Sequence, residues 1–120
     1  MIDQPFPSSN KSLMHILSLA RLHEPSTIHR TERAALERLI EIAKRNADQS
    51  RRVADFLLSW WNAEECGGFD ITHLWAVDST ICADMVTVFD FISCVNKYPD
   101  TLGYEKDFKD IVRMWRPGLK

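Results

Sequence analysis

The stretch VADFLLSWW, residues 53–61, decides the fold of this chain because it is apolar around most of a helix. Two overlapping sets of residues at i, i+3, i+4 and i+7 spacing run through it, one ending at Trp60 and the other at Trp61. A helix with two such stripes has to contact two or more neighbours. The stretch therefore predicts a central helix over about residues 50–62, with Trp60 or Trp61 in the core beside Phe56 and Leu57. The two sets are Val53, Phe56, Leu57, Trp60 and Ala54, Leu57, Leu58, Trp61.

Helical periodicity continues on both sides of this stretch, and no strand-like alternation competes with it. A first short helix is predicted to stop before Pro25, and further helices are predicted over about residues 31–47, 79–97 and 104–115. Prolines and glycines close several of them, since the residue before a proline is disfavoured in a helix. The first predicted helix has the stripe Leu13, Ile16, Leu17, Ala20, and the fourth has Ile81, Met85, Val88, Ile92, Val95 with Phe89 beside them.

These patterns predict an all-α fold, a compact bundle of about five helices with a loose N-terminal arm. Residues 1–11, which include two prolines, are expected to form the flexible arm. Residues 12–120 are expected to form a single helical domain, because 120 residues is near the commonest domain size.

The segment WWNAEECGGFDITHLW, residues 60–75, is interpreted as the end of the central helix and its connection to the next helix. Gly67 or Gly68 is predicted to take a positive φ that ends the central helix. Asp70 is expected to cap a short helical turn over 73–75, and Asp78 to cap the fourth helix. Trp60 and Trp61 complete this set of structural residues.

Two chemical interpretations of the same segment, a zinc site and a thiol active site, have less support than this structural one. Cys66, Asp70 and His73 could bind zinc, but a structural zinc site usually needs four ligands and no fourth donor is near. Cys66 with His73 could act as a thiol nucleophile and its base, but no third orienting residue is evident. We therefore expect no metal, no cofactor and no catalytic residue, and hence no enzyme.

Charge is distributed unevenly along the chain. The net charge is −2, yet residues 53–100 hold eight acids and one lysine, which gives that segment −7. One interpretation is a solvated acidic surface; the other is a surface that attracts a basic protein partner. The acids expected to bind such a partner are Glu64, Glu65, Asp84 and Asp90. Three unpaired cysteines and the absence of a membrane-length apolar run predict a cytoplasmic protein with reduced thiols and no membrane partner.

Nucleic acid is the alternative partner. Arg45, Arg51 and Arg52 flank a short turn between two predicted helices, in the outline of a helix-turn-helix. In the second of these helices, only Asp55 and Ser59 could contact the base edges in a DNA groove. Sequence-specific contacts to bases usually come from Arg, Lys, Asn or Gln.

The blocks LLSWWNAEECGGFD and YPDTLGY resemble an uncharacterised domain family of proteobacteria that is often found on integrative and conjugative elements. The resemblance covers residues 49–119 and brings no functional residue with it. It implies a small accessory protein of a mobile element. The expected function is non-catalytic protein binding, for example inhibition of a host defence complex through an acidic surface. A helical nucleic-acid-binding regulator is the alternative, and a thiol-dependent enzyme is third.

Overall fold

A computed structural model describes residues 28–119 of the chain. It has four α-helices: α1 (Arg30–Ala43), α2 (Asp48–Cys66), α3 (Ser79–Cys94) and α4 (Glu105–Trp115). Two 3₁₀ helices, Ile71–Ala76 and Pro99–Leu102, join them. The described residues contain no strand, so the predicted all-α class is confirmed. The predicted arm (1–11) and the predicted first helix, which was expected to stop before Pro25, lie outside the described residues.

Polar contacts fix the directions of the helices. Gln49, at the start of α2, donates from Nε2 to the Asp78 carboxylate just before α3, at 3.3 Å. Farther along, the Trp60 indole of α2 donates to the Lys97 carbonyl just after α3, at 3.1 Å. The helices α2 and α3 therefore run in the same direction. Since α1 reaches α2 through a tight turn, it runs antiparallel to both.

The core lies between α1 and its neighbours. The helix α1 packs against α2, α3 and α4, whereas α2 packs against α1 and α4. The central position predicted for α2 is therefore shared with α1. Fully buried leucines from both helices, with Phe91 and Phe108, fill the space between them; these leucines are Leu36, Leu39, Leu57 and Leu58.

Two aromatic assignments differ from the predictions. Neither Trp60 nor Trp61 is fully buried; both are half-buried, and both pack their rings edge-on against Phe108. On α3 the core aromatic is Phe91, while Phe89 is 57% exposed. The reason is the position of α1, which covers one side of α3 and leaves the side that carries Phe89 open.

Tyr104 ties α4 to α1. The Arg33 guanidinium donates to its hydroxyl at 2.7 Å, and the hydroxyl donates to the Glu37 carboxylate at 2.8 Å. Burial, followed by the hydrogen bond to Glu37, raises the pKa of Tyr104 to about 12. The phenol therefore stays neutral, which lets it act as the donor in this bridge.

The helix α2 contains a break that the sequence does not predict. Asn62 has an extended backbone (φ −161°, ψ 80°), and its side-chain oxygen accepts a hydrogen bond from the Glu65 amide at 3.1 Å. Asn62 therefore caps a last, redirected turn that ends at Cys66. Gly67 follows with φ 97°, so one of the two expected glycines has the predicted positive φ.

We expect Gly67→Ala to lower the free energy of unfolding by about 1–2 kcal/mol, because its backbone region is nearly restricted to glycine. A Cβ at Gly67 would meet no atom within 4 Å, so the loss is conformational rather than steric. Gly68 has an equally open site without a positive φ, and Gly68→Ala is the matched control. Urea unfolding of the two variants measures the difference; equal stabilities would show that the turn at Gly67 is not held in this conformation.

The two predicted aspartate caps behave differently. The Asp70 carboxylate accepts from the Thr72 amide at 3.0 Å and from the Thr72 hydroxyl at 2.7 Å, which lowers the pKa of Asp70. It thereby caps the 3₁₀ helix Ile71–Ala76, which is longer than the predicted turn. Asp78 stands at the N-cap position of α3 but makes no side-chain cap. Its carboxylate instead accepts from Gln49, whose own side-chain oxygen accepts the Asp78 amide at 2.6 Å.

Candidate protein-binding groove

An open apolar groove lies between α2 and α3, with a volume of about 400 Å³. We call it the α2/α3 groove. Its lining contains one polar side chain, Ser59, whose hydroxyl already donates to the Phe56 carbonyl at 2.7 Å. The lining residues are Phe56, Ser59 and Trp60 from α2, Phe69, Ile71 and Leu74 from the segment that follows, and Met85, Val86, Phe89 and Ile92 from α3.

The groove exists because α1 packs against both α2 and α3 while those two helices make few contacts with each other. The segment after Gly67 turns back along α2, where the Phe69 ring packs edge-on against Phe56 at a centroid distance of 5.3 Å. This segment forms part of the wall of the groove without filling it.

Large apolar side chains are exposed at this groove. Ile71, Val86 and Phe89 line it and are 64%, 53% and 57% exposed. Trp75, on the same 3₁₀ helix as Ile71, is 85% exposed. A single exposed apolar residue needs no explanation, but a cluster around a concave surface is typical of a binding site.

Acidic side chains stand next to the lining residues. Asp70 lies between Phe69 and Ile71, and Asp90 follows Phe89 on α3; both are exposed. The Nε2 atom of His73 lies 3.8 Å from the Asp70 carboxylate. Each of these acids is thus adjacent in sequence to a residue that lines the groove.

The four acids predicted to bind a partner do not form one free surface. Glu64 and Glu65 are exposed in the last turn of α2, and Glu65 lines a second cleft of about 480 Å³ between α2 and α4. Asp90 is exposed on α3. The Asp84 carboxylate accepts two hydrogen bonds from Arg38 of α1, at 2.8 and 2.9 Å, and its side chain is only 16% exposed. Asp84 therefore joins α1 to α3.

Two of the three arginines of the predicted helix-turn-helix pair with acids of their own helix. Arg51 lies 3.4 Å from Asp48 and 3.5 Å from Asp55, and Arg52 lies 3.0 Å from Asp48. Arg45 is exposed in the turn before α2. This pairing lowers the positive potential that a phosphate backbone would require.

The candidate thiol site is built unfavourably for nucleophilic chemistry. Cys66 is buried, and burial raises the pKa of its thiol, whereas a nucleophile needs the thiolate. His73 contacts the Phe69 ring and the Asp70 carboxylate. Its Nδ1 is buried without a hydrogen-bond partner among the residues that the structure describes. Over residues 28–119, no three His, Cys, Asp or Glu side chains come together as a metal site.

The groove is the feature that the sequence reasoning missed. Its signal was present in the segment MVTVFDFI, residues 85–92, where apolar residues cover more of the helix than one buried stripe requires. The predicted buried stripe contained Met85, Val88 and Ile92 with Phe89 beside it, whereas the buried residues of this segment are Met85, Val88 and Phe91. Apolar residues left over after one stripe is assigned are thus the sequence signal of a second contact surface.

The fold and the groove define an all-α protein with an exposed apolar surface between α2 and α3. Within the described residues, no helix combines the length and the apolar character that crossing a membrane requires. The chain belongs to the family of unknown function DUF7673, whose profile it matches over residues 33–116. No curated protein and no solved structure matches the chain.

Proposed function

We propose that this chain is a non-catalytic protein-binding protein whose α2/α3 groove accepts a helix of its partner. The partner helix has one apolar stripe, which enters the groove, and basic residues beside the stripe, which approach Asp70. The observation that carries the proposal is the cluster of exposed apolar side chains that line the groove.

The chemistry of the groove favours a helix over other ligands. A small-molecule site usually has a few placed polar groups that fix orientation, and here the one polar side chain, Ser59, already donates to its own helix. Nucleic acid requires a basic surface, and the groove is flanked by acids. An amphipathic helix, with apolar residues at i, i+3, i+4 and i+7, matches an elongated apolar surface between two parallel helices.

The biological setting is proposed from the sequence resemblance. We propose that the chain is an accessory protein of a proteobacterial mobile element and that its partner is a host protein, such as a component of a defence complex. Genes for family members should then lie beside integration and conjugation genes. Family genes scattered among housekeeping genes would contradict this setting while leaving the groove proposal intact.

A designed peptide tests the groove directly. The probe is a 15-residue helix with leucines at i, i+3, i+4 and i+7 and lysines beside them, and its controls are a scrambled peptide and a version with glutamates in place of the lysines. We expect the lysine peptide to bind better than the glutamate peptide, with an association rate that salt lowers, because exposed charges are screened over about 8 Å at physiological ionic strength.

Phe89→Asp should weaken binding of the lysine peptide at least about tenfold, a loss of about 1.4 kcal/mol, by placing a charge in the groove. Met114→Asp is the matched control, because Met114 is an exposed apolar residue on α4 that does not line the groove. Isothermal titration calorimetry measures both variants. Equal effects of the two substitutions, or equal binding of the scrambled peptide, would overturn the proposal; tight, salt-sensitive binding of a DNA probe would favour the nucleic-acid alternative.

A further inference from the structure

The opening between α2 and α4, which we call the α2/α4 cleft, shares no lining residue with the α2/α3 groove. Its volume is about 480 Å³, within the range of about 300–1,000 Å³ that small-molecule sites occupy. Apolar side chains, among them Trp61, Val112 and Leu119, line it together with charged and amide side chains from both helices. A small-molecule site usually combines an apolar lining with a few placed polar groups, and this cleft has both.

The walls of the cleft are held by contacts at two levels of α4. Near the start of that helix, the Phe108 ring packs edge-on against Trp61 at a centroid distance of 5.7 Å. Just after its end, Arg116 donates from Nε to the Cys66 carbonyl at 2.8 Å. The part of α4 that lines the cleft lies between these two contacts. The cleft is therefore formed before a ligand arrives, which lowers the cost of ordering it on binding.

Opposite charges line the two walls without pairing with each other. Glu65 of α2 lines one wall, and Lys109 and Arg113 of α4 line the other. The two cations pair within their own helix, Lys109 with Glu105 at 3.1 Å and Arg113 with Asp110. Among residues 28–119, no cation pairs with the Glu65 carboxylate. Exposed pairs within one helix are weak, so a ligand that carries both signs would find partners on both walls.

Two further polar groups at the cleft have no partner within residues 28–119. The side-chain oxygen of Asn62 accepts the Glu65 amide at 3.1 Å, which leaves the side-chain amide nitrogen of Asn62 as a donor. The indoles of Trp60 and Trp115 donate to backbone carbonyls, whereas that of Trp61 donates to no described group. Both groups are donors, so they favour a ligand with carbonyl or carboxylate oxygens.

We propose that the α2/α4 cleft binds a small zwitterion with an apolar body, the chemistry of an apolar α-amino acid or of a dipeptide. Its ammonium group approaches Glu65, and its carboxylate approaches Lys109 and Arg113. Its apolar side chain packs against Trp61 and Val112. This binding goes beyond the function proposed for the α2/α3 groove and does not depend on it.

Three probes with the same aromatic ring test the assignment. L-phenylalanine carries both charges, 3-phenylpropanoate lacks the ammonium group, and 2-phenylethylamine lacks the carboxylate. We expect L-phenylalanine to bind at least about tenfold more tightly than either analogue, because each analogue leaves one wall of the cleft without its partner. Isothermal titration calorimetry on the full chain measures the affinities. The dipeptide L-alanyl-L-phenylalanine separates the two sources of this chemistry, since the better-fitting one binds more tightly.

Two variants assign the charges of the ligand to the walls. Glu65→Gln should remove the preference for L-phenylalanine over 3-phenylpropanoate and keep the preference over 2-phenylethylamine. The double variant Lys109→Gln, Arg113→Gln should do the reverse. Glu64→Gln is the matched control, because Glu64 is exposed in the same turn of α2 but does not line the cleft. Circular dichroism checks that each variant keeps its helical content.

Three results would overturn the inference. The first is equal affinity of the three probes for the wild-type chain, and the second is a Glu65→Gln chain that keeps the full preference for L-phenylalanine. The third is no measurable binding of L-phenylalanine or the dipeptide at millimolar concentration. None of these results affects the α2/α3 groove, since binding of the designed lysine peptide should be the same in Glu65→Gln and wild type.

Discussion

Replacing Phe108 by alanine is expected to lower the free energy of unfolding by about 3–5 kcal/mol, most of the stability of a marginal domain. Phe108 is fully buried in α4 and is the ring on which both half-buried tryptophans rest. Its centroid lies 6.1 Å from that of Trp60 and 5.7 Å from that of Trp61, both edge-on. Its removal leaves a cavity and also removes the packing contacts of the two tryptophans near the end of α2.

Chemical denaturation monitored by tryptophan fluorescence measures this effect, since Trp60 and Trp61 report on the site itself. Phe89→Ala is the matched control, because it deletes the same ring from a position that is half exposed on α3. We expect that control to change stability by less than about 0.5 kcal/mol. If the two variants unfold at the same denaturant concentration, α4 does not pack on α2 through Phe108.

Arg116→Ala is expected to lower the free energy of unfolding by about 2–4 kcal/mol, because it leaves a partly buried carboxylate without its main partner. Arg116 donates from Nη2 to Asp55 at 2.6 Å and from Nε to the Cys66 carbonyl at 2.8 Å. The side chains of Asp55 and Arg116 are only 15% and 25% exposed. After the substitution, Asp55 keeps Arg51 at 3.5 Å, which is too long for a strong hydrogen bond.

A double-mutant cycle separates the ion pair from the rest of the Arg116 contacts. If the pair carries the effect, Asp55→Asn combined with Arg116→Ala should cost clearly less than the sum of the two single changes. Arg113→Ala is the control, since Arg113 is an exposed arginine of α4, three residues before Arg116, and its partner Asp110 lies within the same helix. Additive costs in the cycle, or an Arg113→Ala variant as unstable as Arg116→Ala, would contradict the assigned role.

The sequence predicts the helices of this fold well because their signal is local. Each apolar stripe repeats within one segment, so α1 to α4 were found with ends that differ by a few residues. Which of two adjacent apolar residues is buried is a different question. Phe89 and Phe91 lie two positions apart on α3, and only the placement of α1 decides that Phe91 enters the core.

The candidate site was less predictable for the same reason. In the sequence Asp84 looks like an ordinary surface acid, because its partner Arg38 lies 46 positions away and only the fold brings the two together. The break at Asn62 depends on a side chain that accepts the Glu65 amide, a local capping contact that periodicity does not reveal. The groove depends on two helices that do not close on each other; the surplus apolar residues of α3 indicate a second contact surface, but they do not indicate that α2 leaves it open.

The contacts of Trp115 and Arg116 also set the order in which the chain can fold. The Trp115 indole donates to the Ala43 carbonyl at 2.7 Å, across 72 positions, and Arg116 reaches Asp55 across 61. The end of α1 and the middle of α2 therefore cannot complete their contacts until residues 115 and 116 have been synthesised. Because such distant contacts slow folding, we expect slower folding than in bundles held by neighbouring helices alone. During synthesis, α1 to α3 should remain an incomplete, exposed assembly until the ribosome has released residue 116.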